Sequence, residues 1–140
     1  MTHTTPLWLL DTNVLSQVIR RPHAPLAQRL SALSEQHPNA LVTSVVVQCE
    51  LMFGAQRVGS SRLADRIAEL TQLIPALPLD ADVVPAYAKL RTLLERAGTP
   101  IGPNDMLIAA HALALGCTLV TADAEFDRVP GLRVENWAAN

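Results

Sequence analysis

The sequence predicts an α/β protein built on a mostly parallel sheet. Short apolar runs alternate with longer stretches of helical spacing, the signature of βαβ units. The run Leu7-Trp8-Leu9-Leu10 is apolar on both faces of a strand, as in a sheet covered by helices on each side. It stops abruptly at Asp11-Thr12-Asn13. Pro103 and Gly116 bracket the clearest helix, with Pro at its first position and Gly just past its end.

Each element follows in order. Residues 7–10 form a first strand. Residues 13–20 read as a short helix stopped by Arg21-Pro22. Residues 25–35 carry Leu26, Leu30 and Leu33 at helical spacing and stop near Pro38. Residues 40–43 form a second strand, and Ser44 is placed to cap a helix over 45–57. Ser60 or Ser61 caps the next helix, which runs to Leu73 with Leu63, Ile67, Leu70 and Ile74 on one face. Residues 76–79 read as a short third strand. Residues 81–97 are helical, and Gly98 ends them. After the 103–115 helix come a fourth strand at 118–120, a Pro130-Gly131 turn and a last strand at 132–134.

The bulk properties narrow the function. A chain of 140 residues is expected to form a single domain over residues 1–140. An apolar fraction of 49% argues against disorder. No apolar run approaches the roughly 20 residues of a membrane span. The first residues lack a basic region, so no signal peptide and a cytoplasmic location are expected. Cys49 and Cys117 lie in apolar segments and read as buried free thiols of a reducing compartment. Neither has a His or Cys at metal-binding spacing. The net charge of -2 does not suit a protein that grips nucleic acid over its whole surface. It permits a nuclease with a metal-loaded acidic centre and local basic residues.

Most of the thirteen acids have plain homes, and four or five do not. Glu35, Asp65, Glu69 and Glu95 fall on exposed helix faces, and Asp80 and Asp82 flank a helix start. Asp11 ends the first strand, and Asp105 sits in the first turn of the Pro103 helix. Asp123 follows the fourth strand, with Glu125 two residues on. Strand ends and the first turns of following helices share one edge of a parallel sheet, where ligands bind. Asp11, Asp105 and Asp123 should therefore converge there. Glu50, about two turns into its helix, reaches them if that helix leans over the edge. Clustered carboxylates repel, and a divalent cation is the usual resolution; oxygen ligands favour Mg²⁺ or Mn²⁺ over zinc. Each acid also has a plainer reading: Asp11 as a helix cap, Asp105 as a partner of the helix dipole, Glu50 as a solvated helix residue and Asp123 as a turn residue. Their joint placement shifts the balance.

These residues carry a resemblance. Leu9-Leu10-Asp11-Thr12-Asn13-Val14 is followed by Thr43-Ser44-Val45-Val46 and by Glu50-Leu51 with Gly54. Pro103-Asn104-Asp105 comes next, with Ile108-Ala109-Ala110-His111-Ala112. Thr121-Ala122-Asp123, Phe126 and Val129-Pro130-Gly131-Leu132 close the series, with Val134-Glu135-Asn136-Trp137. Together they resemble the PIN-domain ribonuclease toxins of bacterial toxin–antitoxin modules, the VapC group, over nearly the whole chain. The resemblance implies a PIN-like three-layer α/β/α sandwich and metal-dependent endonucleolytic cleavage of RNA. It places the family's acids on Asp11, Glu50, Asp105 and Asp123. Glu125 is the rival for the fourth place, since the stretch between Thr121 and Phe126 is one residue shorter than in some relatives. Thr12 and Ser44 match small hydroxyl residues that support the site.

The implied mechanism is a Mg²⁺-assisted attack of water on a phosphodiester. Asp11, Asp105 and Asp123 are the expected ligands, and Glu50 orients or deprotonates the water. Arg20, Arg21 and Arg57 follow site-bearing segments and are the expected RNA contacts, with solvated surface charge as their plainer reading. The resemblance also implies a small VapB-like antitoxin, homodimerisation, and a transfer RNA or ribosomal RNA substrate. A groove formed in part by Leu51, Met52 and Phe53, core residues by default, is a candidate seat for an antitoxin helix. The alternative is a catalytically silent PIN-like domain acting as a protein-binding module. Other phosphoryl chemistries fare worse. A receiver domain needs a strand-end lysine, and the single lysine, Lys89, lies mid-helix. A haloacid-dehalogenase-type phosphatase needs an Asp at Asn13. A Walker site needs Gly-Lys-Ser/Thr, which is absent.

Overall fold

The structure, a computed structural model, describes residues 6–137. Residues 1–5, on which the signal-peptide reading partly rests, lie outside the described residues. Strand β1 (Trp8–Leu10) is followed by α1 (Thr12–Arg20) and α2 (Pro25–Gln36), then β2 (Leu41–Ser44), α3 (Val45–Val58) and α4 (Ser61–Leu73). Strand β3 (Ala76–Leu77), α5 (Val83–Ala97), α6 (Pro103–Leu115) and β4 (Thr118–Val120) come next. A short 3₁₀ helix (Ala124–Arg128) and β5 (Val134–Glu135) complete the order.

The five strands form one sheet in the order β3-β2-β1-β4-β5, and every ladder is parallel. The chain steps outward from β1 through β2 to β3, then returns to the far side of β1 for β4 and β5. Right-handed crossovers put the helices of the outward path on one face and α5 and α6 on the other. Accordingly α3 packs on α1 and α4, and α5 packs on α6, giving the three-layer sandwich. The strand order reverses between β1 and β4. A crevice opens at such a reversal, beyond the carboxyl ends of the strands. Asp11 follows β1 there, and Thr121 follows β4.

Leu9, Leu10, Leu119 and Val120 are buried in the sheet, and Val14, Leu15, Val47, Ile108 and Phe126 cover them. Helix starts are set locally. Ser44 Oγ accepts the Val46 N–H at 3.1 Å, and Ser60 Oγ accepts that of Leu63 at 3.0 Å. Helix α6 ends at Gly116 with φ +69°, a left-handed conformation that glycine adopts at little cost.

Several expectations are corrected. Cys117 is buried but Cys49 is exposed, and Phe53, expected in the core, is 65% exposed. The reason is helical phase. Helix α3 buries Val46, Val47, Leu51 and Ala55. Cys49 lies two residues from both Val47 and Leu51, and Phe53 two residues from both Leu51 and Ala55. A separation of two turns a side chain about 200° away at 3.6 residues per turn. Strand β3 is shorter than expected, β5 begins two residues later, and the 3₁₀ helix after Asp123 replaces a simple turn.

Candidate active site

Asp11 is 4% exposed and is held from several sides. Its N–H donates to the Val120 carbonyl at 2.9 Å, a bond that ties the end of β1 to β4. Its Oδ1 accepts the Thr12 N–H at 2.8 Å and so caps α1. Its Oδ2 accepts the Thr121 hydroxyl at 2.7 Å and the Asn13 amide at 3.2 Å. The capping reading and the site reading of Asp11 therefore describe one geometry.

The network continues across the sheet reversal. Asn13 Nδ2 also donates to Thr121 Oγ1 at 3.1 Å, and Asn13 Oδ1 accepts the Ala122 N–H at 3.0 Å. Thr121 Oγ1 accepts the Asp123 N–H at 3.0 Å, and Asp123 Oδ1 accepts that of Glu125 at 2.9 Å. Asn13 and Thr121 thus fix Asp11 against the loop that carries Asp123. The sequence reading did not single them out as site residues. An amide and a hydroxyl in turn sequences look like ordinary turn residues until β1 and β4 are known to be neighbours.

Glu50 joins from α3. The Thr12 hydroxyl donates to its Oε1 at 2.7 Å, so α3 does lean over the edge. Ser44 plays a more distant part. Besides capping α3, its hydroxyl lies 2.8 Å from Nδ1 of buried His111 on α6. Ser44 Oγ thus accepts from Val46 and shares a second hydrogen bond with the imidazole. Ser44 thereby ties the start of α3 to α6, the helix that carries Asp105.

Carboxylate oxygens of Asp105, Asp123 and Glu125 all lie within 4.8 Å of one another. Asp105 is pushed up to about 6, first by burial and then by the charges of Asp11, Asp123, Glu50 and Glu125. Asp11 is also raised, by burial above all, against the lowering effect of the Thr121 and Thr12 hydrogen bonds. Both shifts mark like charges held together in partial shelter from water. Arg128 approaches Glu125 at 4.0 Å, an exposed pair of small worth. An all-oxygen set of three carboxylates within reach of one point suits a hard divalent cation, and these residues fit one. Asp11 stands behind them, its oxygens already engaged by Thr12, Asn13 and Thr121.

Two grooves meet at Thr12 and Glu50. One, of 510 Å³, is lined by Ser16, Ile19, Arg20, Gly54 and Arg57. The other, of 720 Å³, is lined by Val46, Cys49, Phe53, Asn104 and Leu107. Arg20 and Arg57 therefore flank the acidic centre. Arg21 does not line either groove; it lines a separate one with Gln17, Arg29 and Trp137.

The fold and its acidic crevice define a class. A family model described as PIN domain matches residues 8–132. Ribonuclease VapC2 of Rickettsia felis is 34% identical over 135 residues, which cover 94% of this chain and 98% of the relative. The tRNA(fMet)-specific endonuclease VapC of Shigella flexneri is 32% identical, with the same coverage. Among solved structures, VapBC2 from Rickettsia felis bound to a promoter DNA fragment aligns with a TM-score of 0.85 at 32% identity, covering 94% of this chain and 98% of that one. FitAcB from Neisseria gonorrhoeae aligns with a TM-score of 0.73 at 25% identity, covering 93% and 97%. The chain belongs to the PIN-domain family and, within it, to the VapC ribonucleases. It is a nuclease, as the resemblance implies. No helix among the described residues is long and apolar enough to cross a membrane.

Proposed function

We propose that this chain, as one PIN domain over residues 1–140, is a Mg²⁺-dependent endoribonuclease and the toxin of a type II toxin–antitoxin pair. The observation that carries the reading is the grouping of the Asp105, Asp123 and Glu125 carboxylates, with Asp11 and Glu50 near enough to act on Asp105, at the sheet reversal of a VapC-family fold. In this reading Asp105 and Asp123 offer oxygens to the cation directly, and Asp11 joins as the third ligand through Oδ1, which accepts only the Thr12 N–H, while Oδ2 stays with Thr121 and Asn13. Glu125, more exposed than Asp123, is the auxiliary acid. A bound divalent cation supplies positive charge at the phosphate and acidifies a water; Mn²⁺ is the expected substitute. Glu50, oriented by Thr12, accepts the proton of the attacking water. Arg20 and Arg57 attract the RNA backbone into the groove.

The proposed substrate class is structured RNA, either transfer RNA or ribosomal RNA, acted on in the cytoplasm. One relative is named as a tRNA(fMet)-specific endonuclease, and the VapBC structures point to a small VapB-like antitoxin as partner. An antitoxin arginine paired with the carboxylates would occlude the centre. Exposed Phe53, with Val46 and Leu107 in the same groove, offers its helix an apolar seat, whereas Leu51 faces the core and Met52 lines a different groove. Homodimerisation belongs to the same proposal, and light scattering tests it.

The deciding experiment is cleavage of total RNA by the isolated chain. Cleavage is expected with Mg²⁺, none with EDTA, and recovery when Mg²⁺ or Mn²⁺ is restored. Asp105→Asn should lower the rate at least about a hundredfold while leaving the circular dichroism spectrum unchanged. Full activity in folded Asp105→Asn protein would overturn the assignment. RNA binding without any cleavage by the wild type would favour a binding-only domain instead.

A further inference from the structure

We propose that the α1–α2 segment is a second nucleic-acid contact, in which Arg21 and Arg29 grip RNA backbone phosphates away from the cleaved bond. The proposal rests on the ribonuclease reading above and extends it to a surface outside the acidic centre.

Charge distribution is the first support. The chain has more acids than cations, yet residues 12–34 contain no acid at all, while Arg20, Arg21, His23 and Arg29 lie among them. The α1–α2 segment is thus a cationic arm joined to the most acidic part of the molecule. Helix α1 connects the two. It starts at the Asp11 cap and ends with Arg20 about 12 Å further along, at 1.5 Å per residue. Asn13, Ser16, Gln17 and Arg20 recur on one side of it and are each at least partly exposed. A polar, acid-free ridge therefore leads from the centre to the arm.

The second support is the groove at the end of that ridge. It encloses 230 Å³ and is lined by Gln17, Arg21, Arg29 and Trp137, with no acid among its lining residues. The Arg29 guanidinium lies 4.2 Å over the Trp137 ring. Trp137 is itself fixed: its indole N–H donates to Glu135 Oε1 at 2.8 Å, and its ring meets Trp8 edge-on at 5.7 Å. Stacking on a fixed ring orders the guanidinium while leaving its in-plane N–H donors for an anion. Two other arginines are committed elsewhere. Arg91 pairs with Glu95 at 2.9 Å, and Arg133 donates to the Gly116 carbonyl at 2.9 Å. Among the described residues neither Arg21 nor Arg29 pairs with a carboxylate. Ordered donors, a groove lining without acids, a nearby Glu135 engaged by the Trp137 N–H and a path to the reacting centre fit the phosphate backbone of a long RNA.

The test compares a long and a short substrate. With total transfer RNA, Arg21→Ala/Arg29→Ala should raise KM roughly tenfold with kcat unchanged. It should also flatten the dependence of log KM on log salt by about 1 to 2. Cleavage of a tetraribonucleotide, too short to reach the arm, should be unaffected. Because Arg29 packs on Trp137, tryptophan fluorescence and thermal melting check the double variant. Arg21→Ala alone touches no ring and should show part of the same KM rise, restored by Arg21→Lys. Unchanged KM and salt slope on transfer RNA, or an equal loss on the tetranucleotide, would overturn the proposal. A docking site for an acidic protein segment would give that unchanged result. If the wild type cleaves nothing, the ribonuclease reading falls on its own. Fluorescence anisotropy of labelled RNA, with the wild type against the double variant, then decides the arm separately.

Discussion

Thr121 shows how much a single hydroxyl can organise. It is 2% exposed, donates to Asp11 and accepts from both Asn13 and Asp123. Removing it leaves a buried carboxylate oxygen and an N–H short of a partner, and such groups are costly. Thr121→Val, nearly equal in shape, should therefore destabilise the fold by about 1–3 kcal/mol. It should also slow RNA cleavage by ten- to a hundredfold through misplacement of Asp11 and Asp123. Chemical denaturation and single-turnover kinetics measure the two effects. Wild-type values in both would show that the hydroxyl does not organise the site. The acids themselves were legible in the sequence because their chemistry restricts their uses. The residues that hold them were not, because Thr and Asn have many ordinary roles in turns.

At the scale of the element, α3 serves core, site and surface with one helical turn each way. Its apolar run suggested wholesale burial, yet phase alone exposes Cys49 and Phe53 while keeping Val47 and Leu51 inside. Gly54 lies inside the continuous helix and lines the groove between Glu50 and Arg57. A Cβ added there would meet nothing within 4 Å, so Gly54→Ala should fit. It should stabilise the chain by about 0.5–1 kcal/mol through helix propensity, read as a higher denaturation midpoint. A loss of stability would mean that the groove floor is tighter than the structure indicates. Caps and stops were readable because they act within a few residues. Ser44, Ser60 and Gly116 each close a helix end from inside the local sequence. The 3₁₀ helix escaped because a single short turn leaves no periodic trace.

At the scale of the whole molecule, the link between the two faces of the sheet is sensitive to acid. Buried His111 bridges α6 to Ser44, and burial, the dominant influence, lowers its proton affinity below the ordinary 6.5. The unfolded chain therefore takes up this proton first. Stability from the neutral histidine is full above about 6.5 and is lost as pH falls below it. Asp105, raised to about 6, acts in the opposite sense: its contribution favours the fold at low pH and is lost as pH rises through about 6. Comparison with a variant separates the two. His111→Gln should cost stability at pH 7.5, and that cost should shrink at pH 5, because the variant lacks the histidine's acid penalty. Melting curves at the two pH values measure it. A cost that does not change with pH would remove the buried neutral histidine from the account.

The sequence by itself determined the alternation of strands and helices, most of the caps, and which carboxylates were candidates for one centre. Those features rest on periodicity, turn chemistry and residue type, which act over a few positions. Only the tertiary structure decided what stands beside what. Asn13 meets Thr121 across 108 positions of sequence because β1 and β4 are neighbours at the sheet reversal. Arg20 and Arg21 are adjacent in sequence yet line different grooves, because α1 ends at Arg20 and the backbone leaves the helical conformation at Arg21. Trp8 and Trp137, near opposite ends of the described chain, stack edge to face and steady the arginine that closes the cationic arm. Strand order and helix phase are global outcomes of burying the apolar surface, and no local stretch of residues encodes them.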